Sequence, residues 1–248
     1  MNIHQIHKNW TDLGAEDPLW AVLTDPAKKG NRWDEDEFVE TGREEIDLVL
    51  SKLKGMSISL PFGRALDFGC GPGRLSQALG RHFNWVDGVD VSASMIEKAN
   101  ALNKMPEKVK YHLNLKEDLS AFSSENYDFI YSNISLHHIP AALQNSYISE
   151  FARVLKTGGF AYFQTIHAHG WRSLIPGWFA DFYRKVKNKG KSCIALYSMP
   201  SERVRRAFEM KNGRLLKQES SPYGGWESRF VCDVYLFAKG PPIQTDSR

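Results

Sequence analysis

RALDFGCGPGRLSQAL, residues 64–79, is the stretch on which the reading of the whole chain turns. An apolar run from Arg64 to Phe68 carries Asp67 near its end, and glycines follow at 69, 71 and 73. Leu75, Ala78, Leu79 and His82 then recur at helical spacing. The pattern predicts a strand, a tight loop and a helix. Closely spaced glycines let the backbone turn sharply and let a ligand approach where a Cβ would clash. A dinucleotide fingerprint needs its third glycine at position 74, which is Arg74, and Pro72 removes an amide that a pyrophosphate would use. No Gly-Lys-Ser/Thr follows, so a Walker A phosphate loop is excluded.

The next apolar run, Trp85 to Val91, carries Asp90 in VDGVDVSASM, 21 residues after Gly69. A carboxylate there can accept both hydroxyls of a ribose. Asp67 beside the loop would repel phosphates but suits an ammonium or sulfonium cation. The two acids point to adenosine with a positively charged appendage.

Outward from this unit, strand and helix patterns alternate. Met95, Ile96, Ala99 and Leu102 mark a helix, Val109–Leu115 and Tyr127–Asn133 two more strands. Pro140 opens a helix with Leu143, Tyr147, Ile148, Phe151, Val154 and Leu155, which Gly158 and Gly159 stop before a strand over Phe160–Ile166. Such alternation predicts a parallel sheet covered by helices on both faces. A helix around Ser201–Lys211 leads to two strands, Arg214–Glu219 and Arg229–Lys239, with only the turn-rich SPYGG near their junction, which predicts an antiparallel pair. Upstream, residues 1–33 read as irregular or short-helical, and a helix runs from about Asp34 to Leu53, opened by Asp34 and Glu37 in a capping-box pattern and closed by Gly55.

LDFGCGPG, GVDVS, YDFIYSNISLHHI and RVLKTGGFAYFQT together resemble the class I S-adenosylmethionine-dependent methyltransferases, over about residues 64–167. The resemblance implies an α/β, Rossmann-like, seven-stranded sheet of order 3-2-1-4-5-7-6 with strand 7 antiparallel. It implies S-adenosyl-L-methionine as cofactor, lying across the carboxyl ends of strands 1, 2 and 4. Carried onto this chain, Asp67, Gly69 and Gly71 would approach the methionine end, Asp90 would hold the ribose, and Val91 and Met95 would pack on adenine. Cys70, Gly73 and Asn133 would be further cofactor-binding residues. Where the family usually has Gly-Asp after strand 3, this chain reads LNLKEDLSAF. Asn114, Glu117 and Asp118 are then the candidates for the adenine amine, with Asp118 favoured.

Histidines stand at the ends of two strands. His137 and His138 follow strand 4, and His167 and His169 follow strand 5. Imidazole titrates near neutrality, so His137 is the candidate general base, against a packing role for these side chains. His138, His167 and Trp171 are candidate acceptor-binding residues. The four histidines lack a neighbouring Cys or carboxylate set at ligand spacing, and no metal is assigned. Methyl transfer needs mainly alignment of nucleophile, methyl carbon and sulfur, so no catalytic triad is required.

The chain has 248 residues, 42% of them apolar and 25% charged, which fits one large domain. No run reaches the ~20 apolar residues of a membrane helix, the first ten residues lack a signal-type apolar core, and three scattered cysteines make no disulfide framework. A cytoplasmic, reducing setting is expected. The net charge of +3 conceals an uneven distribution. Residues 1–50 hold 12 acids and 5 bases, a net of −7, and the remaining 198 hold 17 acids and 27 bases, a net of +10.

The expected organisation is an N-terminal helical cover over 1–55, the main domain over 56–240 with an insertion at about 170–200, and a frayed tail over 241–248. Aromatic residues concentrate in the cover and the insertion, as Trp10, Trp20, Trp33, Trp171 and Trp178 show, which suggests a roof over an acceptor pocket. The expected activity is transfer of a methyl group to an O, N or C nucleophile of a small molecule. An RNA methyltransferase with RKVKNKGK (184–191) as its footprint, and a non-catalytic cofactor-binding regulator or partner protein, are the alternatives. The absence of an Asn/Asp-Pro-Pro-Tyr motif around Asn133 and Ser135 lowers the case for methylation of nucleic-acid bases.

Overall fold

The computed structural model describes residues 2–168, 195–223 and 230–240. Three N-terminal helices come first. α1 (Ile3–Glu16) is opened by a reciprocal capping box in which Asn2 and Gln5 satisfy each other's backbone amides. α2 (Pro18–Val22) starts on Asp17 with Pro at its first position, and α3 (Glu35–Gly55) on Asp34, whose carboxylate accepts from the Glu37 amide. β1 (Arg64–Phe68), α4 (Arg74–Gly80), β2 (Trp85–Asp90), α5 (Ala93–Leu102), β3 (Val109–Leu113) and β4 (Tyr127–Ser132) follow in the anticipated alternation. α6 (Ala141–Val154), β5 (Leu155–Ala168), α7 (Ser201–Glu209), β6 (Gly213–Tyr223) and β7 (Phe230–Lys239) complete it.

The seven strands lie in the order β3-β2-β1-β4-β5-β7-β6. β1 to β5 are parallel, and β7 runs antiparallel to both β5 and β6. The expected order and the single reversed strand are therefore both present. One boundary moves: α6 ends at Val154 and β5 begins at Leu155, before the two glycines read as helix stops. Leu155 pairs with Tyr127 and Phe160 with Phe129, so Lys156–Gly159 form an irregularity inside the strand, with Gly158 at φ +84°.

Both faces of the sheet are buried, which explains why β4 is buried at all six positions. On one face Leu66, Phe68, Ile130 and Phe163 meet Tyr147, Ile148 and Phe151 of α6 and Val204 and Phe208 of α7. On the other, Ala65, Phe129 and Tyr131 meet Leu75 and Leu79 of α4 and Ile46, Val49 and Leu53 of α3. α3 is thus a layer of the sandwich, which divides the expected cover over 1–55: only the segment before it reaches over the ends of the strands. Its acids find partners on the basic body, with Glu35 on Lys98, Asp36 on Lys104 and Asp47 on His82. Among the described residues, no helix is long and apolar enough to cross a membrane.

Candidate functional site

At the carboxyl ends of β1, β2 and β4 lies a cavity whose floor is the glycine loop. The loop needs glycine at two positions. Gly69 has φ +74°, and a Cβ there would come within 2.2 Å of the Ser135 hydroxyl. Gly73, at φ +85°, begins α4, and its Cβ would meet the Tyr111 hydroxyl at 2.2 Å. Gly73 is therefore required by packing and does not line the cavity, whereas Gly69, Cys70 and Gly71 do.

Asp90 faces the cavity from the end of β2. Its Oδ2 accepts from the Gly71 amide at 2.9 Å and its Oδ1 from the Ser92 amide at 2.8 Å. The loop and the carboxylate thus fix each other. Val91 and Met95 continue the wall. Beneath the loop, Asp67 is completely buried. Ser76 donates to its Oδ2 at 2.6 Å, and its Oδ1 has no hydrogen-bond partner among the described residues. Burial raises its pKa to about 7, opposed by the Ser76 hydrogen bond. Burial also pushes the pKa of Asp90 up, against its backbone hydrogen bonds.

Ile3, Ile6 and Arg74, which no motif marks, close the site together with Trp10 of the expected roof. Ile3, Ile6 and Trp10 of α1 form its roof, and the helix is anchored where His7 donates from Nδ1 to the Val91 carbonyl at 2.6 Å. The signal was there in apolar residues at helical spacing within an otherwise polar run. Arg74, directly after the loop, also lines the cavity although it is only 3% exposed. Its Nη2 donates to Glu45 of α3 at 2.8 Å. Asn133, at the cavity wall as expected, donates to the other oxygen of Glu45 at 2.7 Å.

Asp118 is displaced from its expected role. Its carboxylate turns back to accept from the Ser120 amide at 3.0 Å, which lowers its pKa. Asn114 lines the cavity instead, and donates to the Asp118 carbonyl at 2.9 Å. An acid is the natural choice on composition, but the chain reverses here, with the Asn114 amide spanning the reversal and Asp118 off the cavity wall.

The histidine pair also resolves differently. A 3-10 turn over Leu136–His138 sends His137 inward, where it is fully buried and does not line the cavity. Burial and the adjacent His138 lower its pKa to about 2, and its position away from the cavity removes it as the general base. His138 lines the cavity. Its Nδ1 donates to the Ala195 carbonyl at 2.7 Å, which leaves the lone pair on Nε2, and Trp10 meets the ring edge-on at 4.9 Å. Burial lowers its pKa to about 4.

His167 does not line this cavity either. Its Nδ1 donates to Asp233 Oδ2 at 2.6 Å, and Ser201, Ser220 and Tyr235 donate to the same fully buried carboxylate. These bonds hold β5, β6, β7 and α7 together and account for the histidine structurally. Trp171, His169, Trp178, the basic run 184–191, most of the insertion and the tail lie outside the described residues.

Residues 65–159 match the methyltransferase domain family. The chain is 29% identical to the ubiquinone biosynthesis O-methyltransferase of Thiobacillus denitrificans over 59% of its own length and 62% of the relative's. It is 31% identical to the enzyme of the same name from Coxiella burnetii, over 63% of this chain and 66% of that one. These alignments span less than two thirds of either relative. A third enzyme of that name, from Xanthomonas campestris pv. campestris, is 26% identical over 82% of this chain and 84% of its own. Among solved structures, magnesium protoporphyrin IX methyltransferase from Synechocystis superposes with a TM-score of 0.63 at 14% identity, over 96% of this chain and 99% of that one. Geranyl diphosphate C-methyltransferase from Streptomyces coelicolor gives 0.62 at 16% identity, over 96% and 97%.

Proposed function

Since the chain belongs to the class I S-adenosylmethionine-dependent methyltransferases, we propose that it methylates a nucleophile of a small organic acceptor, with oxygen as the favoured acceptor atom. The observation that carries the reading is Asp90, pinned by the Gly71 amide at the wall of a cavity floored by the glycine loop. The residues suit the cofactor. Asp90 offers a fixed carboxylate to vicinal hydroxyls, and Val91 and Met95 an apolar bed. Oxygen is favoured because the relatives aligned above are named O-methyltransferases.

When bound, S-adenosylmethionine supplies a methyl carbon already activated on a sulfonium. The protein's part is to align, to exclude water and to move one proton. α1 covers one side of the cavity with the apolar side chains of Ile3, Ile6 and Trp10. His138 is neutral at pH 7 with its Nε2 lone pair available, and takes the proton that a hydroxyl acceptor loses as its oxygen bonds the methyl carbon. S-adenosylhomocysteine and the methyl ether are the products, and the proton leaves through His138 to solvent.

The test is calorimetric titration with S-adenosylhomocysteine, followed by mass-spectrometric detection of methyl transfer to a panel of phenols and catechols. Binding that Asp90→Ala abolishes, with a methylated product, is the expected result. Affinity unchanged in Asp90→Ala, or binding without turnover on any acceptor, would overturn the ribose assignment or the enzymatic reading respectively.

A further inference from the structure

Gln144 stands in the first turn of α6 and is completely buried. A glutamine taken out of water is costly unless its amide finds partners. Its Nε2 finds two, donating to the Ile139 carbonyl at 2.7 Å and to the Tyr197 carbonyl at 3.1 Å. Its Oε1 has no partner among the described residues. Turning the amide over would set an oxygen against two carbonyl oxygens, so the group stands one way round. An apolar side chain of similar length would leave no orphaned acceptor. The glutamine therefore costs stability, and what it ties together gives the reason.

The two carbonyls belong to different segments. Ile139 directly follows His138, at the close of the turn after β4. Tyr197 belongs to residues 195–199, the arm that leads into α7. One end of that arm is fastened where the Met199 amide donates to the Ile166 carbonyl of β5 at 2.8 Å. In its middle the Tyr197 amide donates to the His137 carbonyl at 2.7 Å, and the Tyr197 carbonyl accepts from Gln144. The other end supplies Ala195, whose carbonyl accepts from His138 Nδ1 at 2.7 Å. Gln144 thus joins the turn that carries the histidine to the arm that carries the histidine's acceptor.

That acceptor decides what the imidazole can do. A carbonyl only accepts, so it fixes the ring proton on Nδ1 and leaves Nε2 with its lone pair. With arm and turn apart, the proton is free to sit on either nitrogen, and a ring protonated at Nε2 takes up no proton there.

We propose that Gln144 is a positioning residue, which locks His138 in its Nδ1–H tautomer by clamping residues 195–199 to the turn after β4. This role rests on the reading of His138 as the base and adds the residue that keeps it one. Gln144 does not line the cavity, so it acts only through the histidine.

The tautomer is read by nitrogen NMR of protein isotopically labelled at histidine, with the His138 signals identified by their loss in His138→Asn. The unaltered protein should show a protonated Nδ1 and a bare Nε2. In Gln144→Met the two nitrogens should move toward each other as both tautomers become populated. Turnover of Gln144→Met should fall by roughly 10-fold, the effect of one or two lost hydrogen bonds, while S-adenosylhomocysteine affinity by calorimetry stays within about twofold. In a His138→Asn background the same change should cost no further turnover. Gln144→Asn, which keeps the amide but shortens its reach, should be intermediate and carries the test if Gln144→Met fails to fold.

An unchanged tautomer in the folded Gln144 variants, or the same loss of turnover in the background lacking His138, would overturn the proposal. A proton on Nε2 in the unaltered protein would overturn the base reading and the proposal together. A tautomer that depends on Gln144 in a protein with no turnover on any acceptor would overturn the base reading and uphold the clamp.

Discussion

His7 Nδ1 lies 2.6 Å from the carbonyl oxygen of Val91, so the N-terminal helix is fastened to the backbone directly after Asp90. Thr11 adds to the seam, its carbonyl accepting from the Ser94 hydroxyl at 2.8 Å. His7→Ala should weaken S-adenosylhomocysteine binding by about 5- to 10-fold, the loss of one net hydrogen bond of ~1 kcal/mol, with little change in the unfolding midpoint of the sheet. Unchanged affinity by calorimetry would remove α1 from the site.

The two adjacent histidines should separate cleanly by variant. His138→Asn is expected to lower turnover by about 100-fold or more while donor affinity stays within a fewfold, because only proton acceptance is lost. Replacement of His137 removes a buried ring packed 4.3 Å from His138, and should act first on stability. The pH profile adds a second reading. With the His138 pKa lowered by burial to about 4, the base is consumed only as pH falls toward 4, so activity of the folded enzyme should persist well below 6.5. An acid limb near 6.5 that disappears in His138→Asn would contradict the buried neutral ring.

Asp67 should leave its mark on stability in the absence of ligand. Its folded pKa, about 7, stands well above the ordinary aspartate range, so the folded state holds a proton that the unfolded chain releases. Its contribution to stability is complete below about pH 4 and is lost as pH rises through 7. Asp67→Asn removes that slope. The unfolding midpoint of the variant relative to the unaltered protein should therefore rise between pH 4 and pH 7, and a difference independent of pH would show that Asp67 is already ionised there.

Gly73→Ala should be among the most damaging single-methyl additions in the chain. The residue needs φ +85° and has the Tyr111 ring and hydroxyl where a Cβ would go. A loss of about 2–4 kcal/mol in chemical denaturation is expected, and Tyr111→Ala in the same background should return part of it.

Legibility followed the range of the interactions. The strand, glycine loop and helix at 64–79, and Asp90 at the end of the next strand, depend on local spacing, and all lie where the spacing put them. The sheet order could be read because the whole motif series agreed with one topology. The choice of His138 over His137 could not be made, because a single turn of 3-10 geometry decides which of two neighbours faces the cavity. Asn114 displaced Asp118 for a similar reason, through a reversal closed by the Asp118 carbonyl. The Glu45–Arg74 contact joins a helix read as cover to the loop it was not expected to touch. No periodicity announces a pair that forms only when α3 packs across α4.

Ile3, Ile6 and Trp10 touch whatever fills the cavity, and the same helix is held to the body mainly through Val91, Ser94 and Met95. Ligand occupancy and helix docking are therefore linked equilibria: each ligand contact with α1 raises the free energy needed to lift it. Protease cleavage within residues 3–22 becomes a gauge of occupancy, slowing as S-adenosylhomocysteine is added. The same linkage ties departure of the product to release of the helix, so contacts that hold α1 down also slow the ligand's exit.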